Sequence, residues 1–212
     1  MSTIKKDLSN ETLGQSLLKN GVSRRSFLKF CSTVASAMAL PPAAAKAMAE
    51  TLAKSSRQSV IWLSFQECTG CTESLTRSHK PTVESLIFDF ISLDYHHTLQ
   101  AASGEAAEHA REQAMKDHHG KYILIVDGSI PMKDDGVYST IAGITNLAML
   151  KEVAEGAAAI VSVGTCAAYG GLPMADPNPT GAVSVSDIIK DKPIINIPGC
   201  PPIPVVITGV LA

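Results

Sequence analysis

Apolar residues fall in short continuous runs separated by polar, helix-forming stretches, rather than in strict alternation. Val60–Leu63 (VIWL) follows a polar stretch and predicts a first buried strand. It runs into the loop Gln66-Glu67-Cys68-Thr69-Gly70-Cys71, and Thr72-Glu73-Ser74-Leu75 predicts the start of a helix. Ser85–Leu93 (SLIFDFISL), rich in β-branched and aromatic residues, predicts a second strand. Tyr122–Val126, stopped by Asp127-Gly128, predicts a third, Ala159–Val163 a fourth, and Ile194–Ile197 a last one that leads into Pro198-Gly199-Cys200-Pro201-Pro202. Between them, Ala101–Lys116 is Ala/Glu-rich and free of proline, which predicts a helix closing near Gly120. Thr140–Glu155 predicts a further helix and Val185–Lys190 a short one.

Unbroken apolar strands alternating with helices indicate an α/β domain with a mostly parallel open sheet and helices on both faces. In such sheets the ligand crevice lies beyond the carboxyl ends of the strands. Three predicted strands run into cysteine-bearing loops: Val60–Leu63 into Cys68 and Cys71, Ala159–Val163 into Cys166, and Ile194–Ile197 into Cys200. A parallel sheet gathers these four cysteines at one edge.

The first fifty residues follow another pattern. Ser23-Arg24-Arg25-Ser26-Phe27-Leu28-Lys29 precedes a weakly apolar run, Cys31–Leu40, and then the small-residue stretch Pro41-Pro42-Ala43-Ala44-Ala45-Lys46-Ala47-Met48-Ala49. Charged region, short apolar region and small-residue cleavage site make the order of an export signal over residues 1–49. The paired arginines followed by Phe-Leu-Lys resemble a twin-arginine signal. Ala47-Met48-Ala49 fits cleavage before Glu50, and Ala45-Lys46-Ala47 is a second candidate; a retained amphipathic helix is the competing reading. Charge follows the same division. Residues 1–49 hold seven Lys/Arg and two Asp/Glu, a net of +5, while the remainder holds 11 basic and 18 acidic residues, a net of −7. The acidic body excludes the cationic footprint that nucleic-acid binding needs.

Removing the signal removes Cys31 and leaves Cys68-x2-Cys71, then Cys166 after 94 residues and Cys200 after a further 33. Four thiolates suit one [4Fe–4S] cluster or one tetrahedral zinc. Each cysteine has small or rigid neighbours (Thr69-Gly70, Gly164-Thr165, Pro198-Gly199 and Pro201-Pro202): glycine lets backbone N–H groups approach the sulfurs, and proline fixes the loop. Two disulfides are an alternative for an exported chain, a cofactor-free binding domain being the function that goes with them. A thioredoxin-like Cys-x-x-Cys would leave Cys166 and Cys200 without a role.

Glu67-Cys68-Thr69-Gly70-Cys71-Thr72-Glu73-Ser74, Gly164-Thr165-Cys166-Ala167 with Tyr169-Gly170-Gly171, Asn178-Pro179-Thr180, and Asn196-Ile197-Pro198-Gly199-Cys200-Pro201-Pro202 resemble the small subunit of membrane-bound [NiFe] hydrogenases. The resemblance implies a flavodoxin-like domain over residues 50–212 in which Cys68, Cys71, Cys166 and Cys200 hold a proximal [4Fe–4S] cluster. It implies a large partner subunit carrying the nickel–iron centre where hydrogen is split, and electron relay through this chain toward a membrane cytochrome or quinone-linked acceptor. The location implied is the periplasmic side of the inner membrane. Gly70 stands where oxygen-tolerant relatives carry an extra cysteine, so the standard, oxygen-sensitive type is expected. Family members continue with a C-terminal domain holding two further clusters; here the chain runs to Thr208-Gly209-Val210-Leu211-Ala212, expected to lie inside a helix, and is expected to be truncated. The cluster subunit of a respiratory dehydrogenase is a related reading, disfavoured because Arg24-Arg25 points outward.

Glu67 matches a position the family associates with proton movement, and a surface or helix-dipole carboxylate is the structural alternative. Glu73 is expected to be an ordinary first-turn helix glutamate. His96-His97 and His118-His119 are adjacent pairs whose side chains diverge, so a solvated surface is expected for them; no ligand role falls on His79.

Overall fold

The computed structural model describes residues 23–54 and 57–212, together with Thr12, Gly14, Gln15, Leu18 and Gly21. Lys5, Lys6 and Lys19 of the expected signal lie outside the described residues. The chain divides into two compact units, residues 1–58 and 59–212.

In the first unit, helix α1 (Arg24–Ala37) starts where the Ser23 hydroxyl accepts the Ser26 N–H at 3.2 Å. Ala39 adopts φ +55° and breaks the run, and Pro42 opens helix α2 (Pro42–Lys54), where its missing N–H costs no hydrogen bond. The two helices pack together. Cys31 and Ala35 on α1, and Ala45 and Ala49 on α2, are buried at four-residue spacing, so each helix buries one narrow stripe of small side chains. No helix among the described residues is long and apolar enough to cross a membrane.

The second unit is an open α/β fold. Its strands are β1 (Gln58–Ser64), β2 (Ile91–His96), β3 (Ile123–Asp127), short β4 (Ile130–Pro131), β5 (Thr140–Ile141) and β6 (Ile144–Thr145), β7 (Ala159–Val163), short β8 (Ala182–Val183) and β9 (Ile194–Ile197). The main sheet has the order β2-β1-β3-β7-β9, and β1–β3, β3–β7 and β7–β9 are parallel. This is the flavodoxin-like order. Alternate residues feed two cores: Ile61, Leu63, Leu124, Val126 and Ile160 on one face, Val60, Trp62, Ile125, Val161 and Val163 on the other. Burial on both faces explains why these strands read as unbroken apolar runs.

Two expected elements are corrected. Ser85–Leu93 is not one strand: the chain is helical over Val83–Ser85, continues as a π-helical turn over Leu86–Phe90, and becomes strand only from Ile91. The Thr82 hydroxyl caps that helix by accepting the Ser85 N–H, and a short apolar run cannot by periodicity be told from buried helix. Thr140–Glu155 is not all helix either. Its first six residues form the β5–β6 hairpin, turning through Ala142 and Gly143 at φ +52° and +78°, and the helix spans Asn146–Glu155. The expected Ala101–Lys116 helix is observed over Glu105–Asp117, entered through Gly104 at φ +57°.

Candidate metal centre

Strand register brings four strand ends into one row: Ser64 pairs with Asp127, Asp127 with Val163, and Val163 with Ile197. Each cysteine loop starts beside that row. Beyond β1, Thr69 takes φ +69° at the start of helix Gly70–Thr76, which places Cys68 just before the helix and Cys71 in its first turn. Beyond β7, Gly164 at φ +87° turns the chain directly into helix Gly164–Tyr169, whose first turn carries Cys166. Beyond β9, Gly199 at φ +143° precedes Cys200.

Hydrogen bonds stitch the three loops together. The Thr165 N–H donates to the Gly199 carbonyl at 2.8 Å, and the Gly199 N–H returns a bond to Thr165 Oγ1 at 3.2 Å. Ser74 Oγ donates to the Pro202 carbonyl at 2.6 Å, and the Cys71 thiol points to the Val163 carbonyl at 3.8 Å. Glycines lie against the sulfurs. A Cβ added at Gly164 would stand 2.5 Å from Cys71 Sγ, one at Gly171 2.6 Å from Cys166 Sγ, and one at Gly70 3.2 Å from Cys68 Sγ. Three of the four sulfurs therefore rest on backbone that no side chain shields.

All five cysteines are free thiols; Cys68 and Cys200 are exposed, Cys71 and Cys166 half-buried, and Cys31 buried in the first unit. Burial pushes the Cys71 thiol up to about 12, helped by the negative charge of Asp127 and by Cys166, Cys68 and Glu67. Cys166 is raised by burial first and then by Cys200, Cys68 and Glu67. Burial and the surrounding negative charge thus hold Cys71 and Cys166 protonated. Ionising them takes a cationic partner, and iron ligated by thiolates would be one. Among the described residues no three His, Cys, Asp or Glu side chains gather closely enough to hold a metal ion as they stand.

Glu67 sits beside this cluster of thiols, half-buried rather than on the surface. Its Oε1 accepts the Thr69 hydroxyl at 3.4 Å, while Oε2 is buried without a partner. Burial raises its carboxyl to about 7, and the negative charge of Asp127 adds to the effect. Glu73 is the first-turn helix residue expected, exposed and paired with Arg77 at 2.5 Å. The solvated reading of the histidines holds for His118 and His119 but not for the other pair. His96 is fully buried and His97 half-buried, because β2 runs on to His96, whose ring lies 5.0 Å from that of Trp62, and the His97 Nδ1 accepts the Ser64 N–H at 3.0 Å. His79 and His109 are exposed.

Two groups of residues at the site carried no readable sequence signal. Asp127, predicted only as a strand stop, is fully buried and accepts the Trp62 indole N–H at 3.1 Å; its other oxygen has no partner. Burial raises it to about 6, with the Ser64 and Thr72 hydroxyls nearby lowering it without reaching hydrogen-bonding geometry. Gln66 is held by Ser129 and Thr180, residues remote in sequence.

Residues 68–212 match the family described as NADH ubiquinone oxidoreductase, 20 Kd subunit. The chain is 49% identical over 185 residues to the hydrogenase-2 small chain of Escherichia coli K12, a match covering 87% of this chain and 50% of that protein. It is 48% identical over 202 residues to the periplasmic [NiFe] hydrogenase small subunit of Solidesulfovibrio fructosivorans, covering 95% of this chain and 64% of that one. The chain therefore spans half to about two-thirds of the length of these relatives. Among solved structures, a chain of the Ni-Fe-Se hydrogenase from Desulfomicrobium baculatum superposes with a TM-score of 0.71 at 36% identity, over 73% of this chain and 60% of that one.

Proposed function

Since the chain belongs to the family described as NADH ubiquinone oxidoreductase, 20 Kd subunit, and its relatives are hydrogenase small subunits, we propose that it is the electron-relaying small subunit of a [NiFe] hydrogenase. Cys68, Cys71, Cys166 and Cys200 hold a proximal [4Fe–4S] cluster, and the large partner subunit carries the nickel–iron centre. The observation that carries this reading is the meeting of three cysteine loops at one end of a parallel sheet, with glycine backbone packed on the sulfurs. When bound, the cluster supplies one-electron chemistry at a potential set by burial and by hydrogen bonds to its sulfurs.

The chain's own residues do the rest. Gly70, Gly164 and Gly171 leave room at the sulfurs, and the Thr165–Gly199 bond pair keeps the second and third loops at a fixed separation. Glu67, half-buried beside the first cysteine, holds and passes a proton at its carboxylate. Residues 1–49 act as a twin-arginine signal that delivers the chain to the periplasmic side of the inner membrane, where a cytochrome or quinone-linked protein takes the electrons. Nucleic acid has no place among the partners of so acidic a body.

Replacing Cys166 with Ser tests the reading. The complex is expected to lose the cluster's visible absorbance and its hydrogen uptake together. Retention of both would overturn the ligand assignment.

A further inference from the structure

Asn178-Pro179-Thr180 lies outside the cysteine loops, yet the fold ties it to the first of them. Asn178, at φ +45°, clips its own turn: Oδ1 accepts the Ala182 N–H at 2.7 Å and Nδ2 donates to the Ala182 carbonyl at 3.1 Å. The turn is anchored from the other side by the Met132 N–H on the Gly181 carbonyl and the Lys133 N–H on the Thr180 carbonyl, both at 3.1 Å, extending the β4–β8 pairing. What this rigid turn presents is the Thr180 hydroxyl. It accepts from Gln66 Nε2 at 3.1 Å and lies 3.3 Å from Gln66 Oε1, across 114 residues of sequence.

Gln66 is held through its backbone as well. Its N–H donates to the Ser129 carbonyl at 3.2 Å, and its carbonyl accepts the Ser129 N–H at 3.1 Å. Gly128, at φ +87°, passes so close that a Cβ there would stand 2.8 Å from the Gln66 nitrogen. The residue two before Cys68 is thus fixed in main chain and side chain before the chain enters Thr69, with its strained φ of +69°.

We propose that Thr180 is a positioning residue for the metal centre: acting through Gln66, its hydroxyl sets the direction in which Glu67 and Cys68 leave the sheet. This rests on the proposed cluster at the four cysteines. A hydroxyl–amide clamp of this kind limits how far Cys68 Sγ swings, and a thiolate that swings releases iron more readily and perturbs the electronic structure of what it ligates.

The test uses the full chain in complex with its large subunit and follows the paramagnetic signal of the reduced enzyme that Cys166→Ser removes. Thr180→Val is expected to shift the g-values of that signal and to speed its loss to bathophenanthroline disulfonate about fivefold, the factor that one lost net hydrogen bond supplies. Thr180→Ser keeps the hydroxyl and is expected to behave as wild type. Gln66→Leu breaks the same clamp from the other side, serves alone should Thr180→Val fail to accumulate, and in the double variant is expected to add nothing. Wild-type g-values and chelation rate in Thr180→Val, a defective Thr180→Ser, or a double variant whose rate is the product of the two single effects would each sink the clamp. A wild-type complex with no signal that Cys166→Ser removes sinks the cluster reading and the clamp with it, whereas a cluster indifferent to Thr180→Val sinks the clamp alone.

Discussion

Gly164 Cα faces the Cys71 sulfur so closely that a single added methyl would stand 2.5 Å from it. The residue also holds φ +87°, a conformation that costs an L-residue on the order of 1–2 kcal/mol. Neither cause can relax independently, because Gly164 is the hinge between β7 and the Cys166 helix. Gly164→Ala is therefore expected to destabilise the domain by at least ~2 kcal/mol and to lower the iron that the proposed cluster would hold. Iron-to-protein ratio and thermal unfolding check it; wild-type values in both would show that the Cys71 sulfur has room to retreat.

Away from the centre, Arg111 is buried and binds two glutamates. It donates to Glu108 at 3.0 Å, three residues earlier on the same helix, and to Glu152 at 3.3 Å on the helix Asn146–Glu155, while Tyr95 donates its hydroxyl to Glu108 at 2.6 Å. Arg111→Ala leaves Glu108 largely buried without its cation, and such removals cost roughly 3–5 kcal/mol. Denaturant unfolding should show a lower midpoint at unchanged slope. A loss below about 1 kcal/mol would mean that Tyr95 alone satisfies Glu108.

His96 makes acid sensitivity measurable. Its ring stacks 5.0 Å from Trp62, its Nδ1 accepts the Thr98 N–H at 3.0 Å, and Nε2 is buried without a partner. Burial, with His97 adding to it, lowers its pKa from 6.5 to about 4. The unfolded chain then binds the extra proton first, so this group's contribution is complete above pH 6.5 and is lost as pH falls toward 4, about 3 kcal/mol over that window. Glu67 and Asp127, raised to about 7 and about 6, act in the opposite direction over much of the same range. The effect is therefore read as a difference. His96→Asn, which can keep the acceptor for Thr98, is expected to lose less stability than wild type on acidification from pH 6.5 to 4. Parallel stability curves for the two proteins would refute it.

Ala159–Val163 was legible because it is buried on both faces, and Ile194–Ile197 also lies where its run predicts, although at the sheet edge its Ile195 and Asn196 are exposed. The convergence of the cysteines followed from topology alone, since parallel strands must send their loops to one end. Where an apolar run had no such constraint, at Leu86–Phe90, its period was ambiguous and the chain is helical instead. Gly143 was the overlooked sign of the β5–β6 hairpin, since its φ of +78° is a turn value that a helix interior excludes. Gln66 with Thr180 and Trp62 with Asp127 are pairings across 114 and 65 residues, made by the finished fold and invisible to any local pattern.

The row formed by Ser64, Asp127, Val163 and Ile197 also sets an order of events. Cys68 and Cys200 stand 132 residues apart in the chain, and their loops come together only after β9 has docked beside β7. Contacts so distant in sequence form late, because loop closure costs entropy before it returns any energy. A nascent chain that has reached only Val163 offers the Cys68–Cys71 hook and nothing opposite it. Capture of the proposed four-thiolate cluster has to wait for β9, so its arrival reports that β9 has docked.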